Sequence, residues 1–476
     1  MSVSFAEFTG TDFPLVLAAN AWDGTNAGHG GIGASGRGWA LGGEITGGKR
    51  YMRPEQADPR DYRHPDVGWG LILPDDPHIA VEARGRADDA PEPIRALVAA
   101  RPHAKVLRWE PSLGPMALAD YANGGHIPIS GAPAGTAAGA LPRYLLLYGG
   151  PDTLPWNLQF ALNVGNFVGR LHLTGQALEN YVSALLNDWG DSTVRYDQPV
   201  VWAPDFGGDD MTALMRSSIA SPIVEKLKAD GEITRVSFLS GTAGADELAT
   251  AAALSKTLAA NVPALVVTTS HGMTGPAGDL YAVRRNLGLL VDQSRDLVCP
   301  EDLLAKWNPD GAIWYAHACC SAGSNSPSAY AELFDAGSHL AGLLQTVAGV
   351  GPTVAPLPTA LLSAGRPLRA FIGHVEPTFD WTLRFPWTRQ YLTSSIHTAL
   401  YNGLCAGEPV GYALRSIWSQ VGELAAALPE ALKLFNRSRE TRSQGLSAAL
   451  YCQLASRDRG DTVVLGDPTV SLRLPA

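Results

Sequence analysis

Ala264-Leu-Val-Val-Thr-Thr-Ser-His-Gly272 and Ala312-Ile-Trp-Tyr-Ala-His-Ala-Cys-Cys-Ser-Ala-Gly-Ser324 are two short apolar runs that each stop on residues able to do chemistry. Their length and their β-branched and aromatic content are those of short buried strands. The first delivers His271-Gly272 at its C-terminal end, and the second delivers Cys319 48 residues later. Open α/β sheets bind ligands outside the carboxyl ends of their strands. The two runs therefore predict one sheet edge that carries an imidazole and a thiol.

Outward from this pair, strand-like and helix-like segments alternate. Tyr144-Leu-Leu-Leu-Tyr148 is stopped by Gly149-Gly-Pro151. Thr174 to Asn187 places Leu178, Tyr181, Val182 and Leu185 on one helical face. Pro199 to Ala203, Arg235 to Leu239, Leu368 to Gly373 and Val463 to Leu465 read as further strands, and Val470 to Leu474 as a last one. Asp210 to Ala229 is helical with a kink at Pro222, and Asp246 to Ala260 is helical with Leu248, Ala252, Leu254 and Leu258 inward. Pro327 to Val347, Gln390 to Tyr401 and Pro409 to Leu428 complete the helices. Strands separated by helices predict a mainly parallel sheet covered on both faces.

Residues 1–135 are richer in Gly, Pro and turn signals and read as an N-terminal accessory region, with 136–476 as the main domain. Gly31-Ile-Gly33-Ala-Ser-Gly36 matches a dinucleotide fingerprint only formally, because no strand precedes it and no amphipathic helix follows. Gly124 to Ala140 has the composition of a linker.

Bulk composition narrows the function classes. The chain has 476 residues, 46% of them apolar, and a net charge of −10, which disfavours binding to nucleic acid or anionic membrane. Between Ala336 and Gly365 no acidic or basic residue occurs, but Pro352, Pro356 and Pro358 interrupt any span long enough for a bilayer. Five widely spaced cysteines do not make a disulfide framework and suit a reducing compartment, hence a cytoplasmic location. The N-terminus Met1-Ser-Val-Ser-Phe-Ala-Glu lacks the basic and apolar regions of a secretion signal.

A thiol attacks an amide carbonyl only as the thiolate, so it needs a base beside it. His271 on the neighbouring strand end supplies the base and later the acid. Gly272 allows close approach, and its N–H, with that of Cys319, offers an oxyanion hole. Taken singly, Cys319 reads as a buried small hydrophobe and His271 as a polar strand terminus. Together, at matching strand ends, they read as a dyad. Successive strand residues face opposite ways, so only one of Cys319 and Cys320 meets His271. A zinc set from His317, Cys319 and Cys320 lacks a second spaced Cys/His pair, and no metal is expected.

Ser270-His271-Gly272 followed by Ala318-Cys319-Cys320-Ser321 resembles the caspase-like cysteine peptidases, which include caspases, metacaspases, legumains, gingipains and CHAT-domain proteases. The interval from histidine to cysteine is close to the caspase one. Tyr144-Leu-Leu-Leu-Tyr-Gly-Gly150, Val168-Gly-Arg170, Ala370-Phe-Ile-Gly-His-Val-Glu376 and Leu465-Gly-Asp-Pro468 extend the resemblance toward the bacterial gingipain-like and CHAT-type members, over roughly 140–476. It implies a caspase-like α/β/α sandwich and a cysteine endopeptidase that acts on protein or peptide substrates through a thioester, without a cofactor. Defence or cell-death signalling, and an activating partner or ligand, go with it. Self-cleavage would fall in exposed loops such as 124–140 or 435–445.

In that family the nucleophile follows a small residue, which favours Cys319 and leaves Cys320 as the reserve. Members cutting after basic residues often carry an acid two positions before the nucleophile; here that position is His317. His317 is equally a core histidine. Asp152 could supply an acid from another wall, and Glu376 with Trp381, in the aromatic loop 376–387, could form the groove wall or simply pack. The rival from a different class is a non-catalytic caspase-like binding module.

Overall fold

A computed structural model of the chain describes residues 57–241, 244–331 and 333–472. The Gly31–Gly36 loop and residues 473–474 of the expected last strand lie outside the described residues.

The strands are β1 (Trp69–Pro74), β2 (Lys105–Trp109), β3 (Ala117–Ala119), β4 (His126–Pro128), β5 (Tyr144–Tyr148), β6 (Phe167–Leu171), β7 (Val200–Ala203), β8 (Ser237–Ser240), β9 (Leu265–Thr269), β10 (Ile313–His317), β11 (Gly323–Ser324), β12 (Thr353–Val354), β13 (Ala370–His374) and β14 (Thr462–Gly466). Twelve of them form one sheet in the order β4-β3-β2-β1-β5-β6-β14-β13-β10-β9-β7-β8, and β11 pairs with β12 apart from it. Helices that bear on the site or the core are α1 (Glu92–Ala100), α2 (Trp156–Asn163), α3 (Gly175–Leu186), α4 (Met211–Met215), α5 (Ala251–Asn261), α6 (Leu280–Asn286), α7 (His339–Gly349), α8 (Arg415–Arg437) and α9 (Arg439–Gly460).

Alternation along the strands feeds two cores. Leu71, Leu146 and Tyr144 pack with Ile94 and Leu97 of α1 and with Leu178, Tyr181 and Val182 of α3. Ile72, Leu145 and Leu147 pack on the other side with Leu158 and Leu162 of α2. The chain is thus an α/β sandwich with a mainly parallel sheet, as its pattern predicts.

The sheet consists of two opposed halves. β2, β1, β5, β6 and β14 run parallel to one another, and so do β13, β10, β9, β7 and β8. The halves meet where β13 and β14 pair antiparallel, from Ala370↔Gly466 to His374↔Thr462. Carboxyl ends of β9 and β10 therefore lie on one edge of the sheet, and those of β5 and β6 on the other.

Several expectations are corrected. The sheet crosses the boundary placed at residue 135, since β1 pairs with both β2 and β5. The α5 helix begins only at Ala251, where Thr250 caps it; Asp246 and Glu247 instead hydrogen-bond to the β8 segment, and Leu248 is exposed. The helix expected from Pro327 is confined to α7, since residues 328–330 turn against Glu376, which accepts from the Ala329 N–H. Val470 to Leu472 is not a strand. Residues 435–445 are no loop: α8 and α9 form a helical hairpin that turns at Ser438. The 124–140 segment is fastened by hydrogen bonds from Lys105 Nζ to the Ala137 and Ala140 carbonyls. Among the described residues no helix is long and apolar enough to cross a membrane.

Candidate active site

β9 and β10 pair in register from Leu265↔Ile313 to Thr269↔His317, so both strands stop at one height. The Ser270 N–H still reaches the His317 carbonyl at 3.2 Å, and beyond it the two backbones converge. A β-carbon on Gly272 would sit 1.9 Å from the Cys319 carbonyl oxygen and 3.0 Å from its nitrogen. Only glycine fits there.

Cys320 adopts a left-handed backbone, φ +55°, which turns the chain sharply after β10. Its thiol is fully buried among Val283, Leu287, Val347 and Val350, and its N–H donates to the Glu376 carbonyl at 3.1 Å. Burial pushes that thiol well above its ordinary range. Cys319, by contrast, is half-buried at the edge. Of the two cysteines the fold thus exposes the one that follows Ala318.

The Cys319 sulfur donates to the Thr378 carbonyl at 3.7 Å. Burial pushes this thiol up to about 11; the charge of Asp458 acts the same way, while backbone groups of Thr378, Cys319 and Gly272 pull against it. The resting thiol is protonated.

His271 is held from the other side. Its Nε2 lies 3.1 and 3.2 Å from the two Asp210 carboxylate oxygens. Its ring stacks on Phe206 at 5.9 Å, and the Arg295 guanidinium lies 4.4 Å over that ring. Asp210 is the N-cap of α4 and also accepts from Thr212 N at 2.9 Å and Thr212 Oγ1 at 2.6 Å. Burial works to raise the Asp210 carboxyl, yet hydrogen bonds from Thr212 and His271 hold it below its ordinary value. With Nε2 committed to Asp210, Nδ1 is the nitrogen left for proton transfer. The imidazole and the thiol thus share an edge but hydrogen-bond to other partners, as resting sites often do.

His317 is 2% exposed, with Nδ1 at 3.0 Å from the Tyr315 hydroxyl and 3.2 Å from His374 Nε2. Burial, then the neighbouring His374, lowers its basicity far below normal. It is the core histidine of the two alternatives. Asp152 follows β5 and so stands at the opposite edge of the sheet; the reversal at β13–β14, invisible in the sequence, removes it from Cys319. Glu376 is buried and accepts twice from the Ala329 N–H, at 3.1 and 2.9 Å, so it braces the 328–330 turn. Trp381 stacks on Phe379 at 4.3 Å, and Phe379 follows Thr378, whose carbonyl accepts from the Cys319 thiol.

Two carboxylates escaped the sequence reading. The sequence marks Asp210 as a helix start, and an Asp N-cap after a strand-end loop is the signal that points to it. Asp458 gave none, since it lies deep in a polar helix. It is 1% exposed, accepts from Thr382 Oγ1 at 2.7 Å, and keeps Oδ1 without a partner among the described residues. Burial pushes it up to about 6.

No protein-family model matches the chain, and no curated protein matches it. Among solved structures it is similar to a chain of the Saccharomyces cerevisiae separase–securin complex, with a TM-score of 0.34 and 13% identity. That match covers 68% of this chain and 15% of the other, so the chain spans a small part of the protein it resembles.

Proposed function

We propose that the chain is a caspase-like cysteine endopeptidase with Cys319 as nucleophile and His271 as general acid and base. The observation that supports this best is the convergence at Gly272, where the strand-end glycine is pressed onto the Cys319 peptide with no room for a β-carbon. Such an approach leaves the Gly272 and Cys319 N–H groups beside the sulfur, where a substrate's carbonyl oxygen would become an oxyanion.

In this mechanism His271 Nδ1 takes the Cys319 proton as the thiolate attacks the scissile carbonyl. Asp210 fixes the ring and stabilises the imidazolium. The tetrahedral adduct collapses as the imidazolium gives its proton to the leaving amine, forming the thioester. Water, deprotonated by His271, then releases the acid product. Burial that keeps the resting thiol protonated fits a proton transfer that accompanies the attack. Motif resemblance to bacterial defence and cell-death proteases supports action on selected protein substrates in the cytoplasm, with a partner or ligand as the activator.

One observation favours the rival, a non-catalytic binding module: the thiol is turned to the Thr378 carbonyl and pushed up to about 11. Cleavage of a peptide library by wild type, Cys319→Ala, Cys320→Ala and Asp210→Asn separates the two. The peptidase assignment expects Cys319→Ala to be inactive and Cys320→Ala to remain active. Asp210→Asn should lose roughly 10²- to 10⁴-fold in kcat/KM. Wild type that neither cleaves nor alkylates at Cys319 faster than at the other cysteines would leave the binding module standing.

A further inference from the structure

A cavity of about 440 Å³ lies between α7 and loop residues that include Ser326 to Ser328, Tyr330, Ala331 and Phe334. Pro327, Ala331, Phe334, Leu344 and Ala348 give it a largely hydrocarbon surface. Its polar groups are mostly engaged already. The Tyr330 hydroxyl donates to Asp461 at 3.3 Å, and Ser328 Oγ accepts from Tyr330 N at 3.2 Å. Ser326 and Gln345 are the exposed polar side chains on its wall. Filling such a space with apolar groups is favourable, and a charged occupant would be left unpaired.

Two walls of the cavity touch the nucleophile's surroundings. α7 carries Leu344 and Ala348 on the cavity side, while its Val347 shares a buried cluster with Cys320, against which Leu343 and Cys319 also pack. On the other side the Tyr330 ring meets Phe379 edge-on at 5.2 Å, and the residue before Phe379 is Thr378, whose carbonyl holds the Cys319 thiol. At the lip, Leu280 and Tyr281 are 49% and 78% exposed, and a β-carbon on the lining residue Gly349 would lie 3.1 Å from Leu280. Leu333, between the lining residues Ala331 and Phe334, is 47% exposed.

We infer that this cavity is a specificity subsite, one that takes a large apolar side chain of the protein substrate close to the scissile bond. The inference rests on the peptidase assignment and adds the substrate class to it. The wall the cavity shares with the nucleophile, Tyr330 against Phe379 and Thr378 against the Cys319 thiol, selects a substrate side chain over a free apolar ligand. A chain lying across the edge with its carbonyl at Cys319 passes the cavity within a few residues, and the exposed Leu280, Tyr281 and Leu333 guide it in.

The test uses the full chain and a peptide library randomised on both sides of the cut, with iodoacetamide labelling of Cys319 as an independent report on the nucleophile. Wild type should select leucine, methionine or phenylalanine at one position near the cut. Ala348→Phe fills the cavity and should label like wild type. It should raise KM about tenfold or more for the best peptide, with kcat little changed and no effect on a peptide with alanine at that position. Gln345→Glu, an exposed change with little folding risk, should shift the same position toward lysine and arginine. A wild type without an apolar position, or variants that cleave both peptides as wild type does, would overturn the subsite and leave the peptidase standing. Absence of both labelling and cleavage would remove the peptidase assignment, and the subsite with it.

Discussion

Asp458 shows how a single buried carboxyl acts on its neighbours. It lies under Thr382 and Phe379, its charge bears on the Cys319 thiol, and burial raises it to about 6. The ordinary carboxylate value is 3.8, so between pH 4 and 6 the folded chain holds a proton that the unfolded chain releases. Stability linked to Asp458 is full below that window and lost as pH rises through it. Asp458→Asn should therefore gain on wild type between pH 4 and pH 7, by about 3 kcal/mol at most. Glu376 and Asp461 are also raised by burial, and Asp461 further by the charge of Asp458, so the gain read by denaturant unfolding at the two pH values includes the response of Asp461. A difference independent of pH would refute the buried, protonated carboxyl. Sequence could not announce this residue, because Ser456-Arg-Asp-Arg-Gly460 is polar on every side and only tertiary packing buries its Asp458. Cys319 and His271 were legible for the opposite reason: each ends an apolar run, and the run fixes the edge where the side chain emerges.

Helix α9 illustrates what a hydrophobicity pattern overlooks. Its buried positions include Gly445, Ala449, Cys452 and Ala455, small residues at three- and four-residue intervals. They let α8 approach so closely that a β-carbon on Gly445 would lie 2.2 Å from the Phe435 nitrogen. A seam made by absence of side chain carries almost no apolar signal, so the spacing predicts a helix only over Pro409 to Leu428 and leaves 435–445 as an exposed loop. Where the apolar stripe is wide, as in α3 with Leu178, Tyr181, Val182 and Leu185, the helix and its inner face follow directly from spacing. Gly445→Val should overpack the seam and destabilise by about 1–3 kcal/mol, lowering the thermal midpoint. Because the hairpin carries Asp458 and Arg459 at its inner end, α8 and α9 separate at a cost to the wall beside Cys319. An unchanged midpoint in the variant would mean that the hairpin does not close as described.

At the scale of the whole molecule, the antiparallel join of β13 and β14 makes one sheet of two opposed halves and puts Asp152 at the far edge. The pairing of β1 with β5 makes β1 to β4 part of the same sheet that holds the site. Directions of strands are not written in apolar runs, which give a strand's existence and leave its neighbours open. The N-terminal strands are anchored by buried polar contacts as well as by sheet pairing. Trp69 Nε1–H donates to Asp467 at 3.2 Å, and Arg101 reaches the same carboxylate at 3.5 Å, with Asp467 wholly buried. Asp467 lies in the Leu465-Gly-Asp-Pro468 turn that follows β14, the strand beside β13. A chain cut to 136–476 would expose the β5 edge, with Tyr144, Leu145, Leu146 and Leu147 now fully buried, as a template for aggregation. It would also leave Asp467 without its cationic partner, a loss of about 3–5 kcal/mol by itself. Total stabilities of such domains are about 5–15 kcal/mol, so the shortened chain should fail to fold, giving insoluble protein or a circular dichroism spectrum without a cooperative transition. A chain starting at residue 57 keeps β1 to β4 and should unfold as one unit. A soluble 136–476 fragment with a cooperative transition near that of the longer chain would show instead that the half-sheet bearing His271 and Cys319 is self-sufficient.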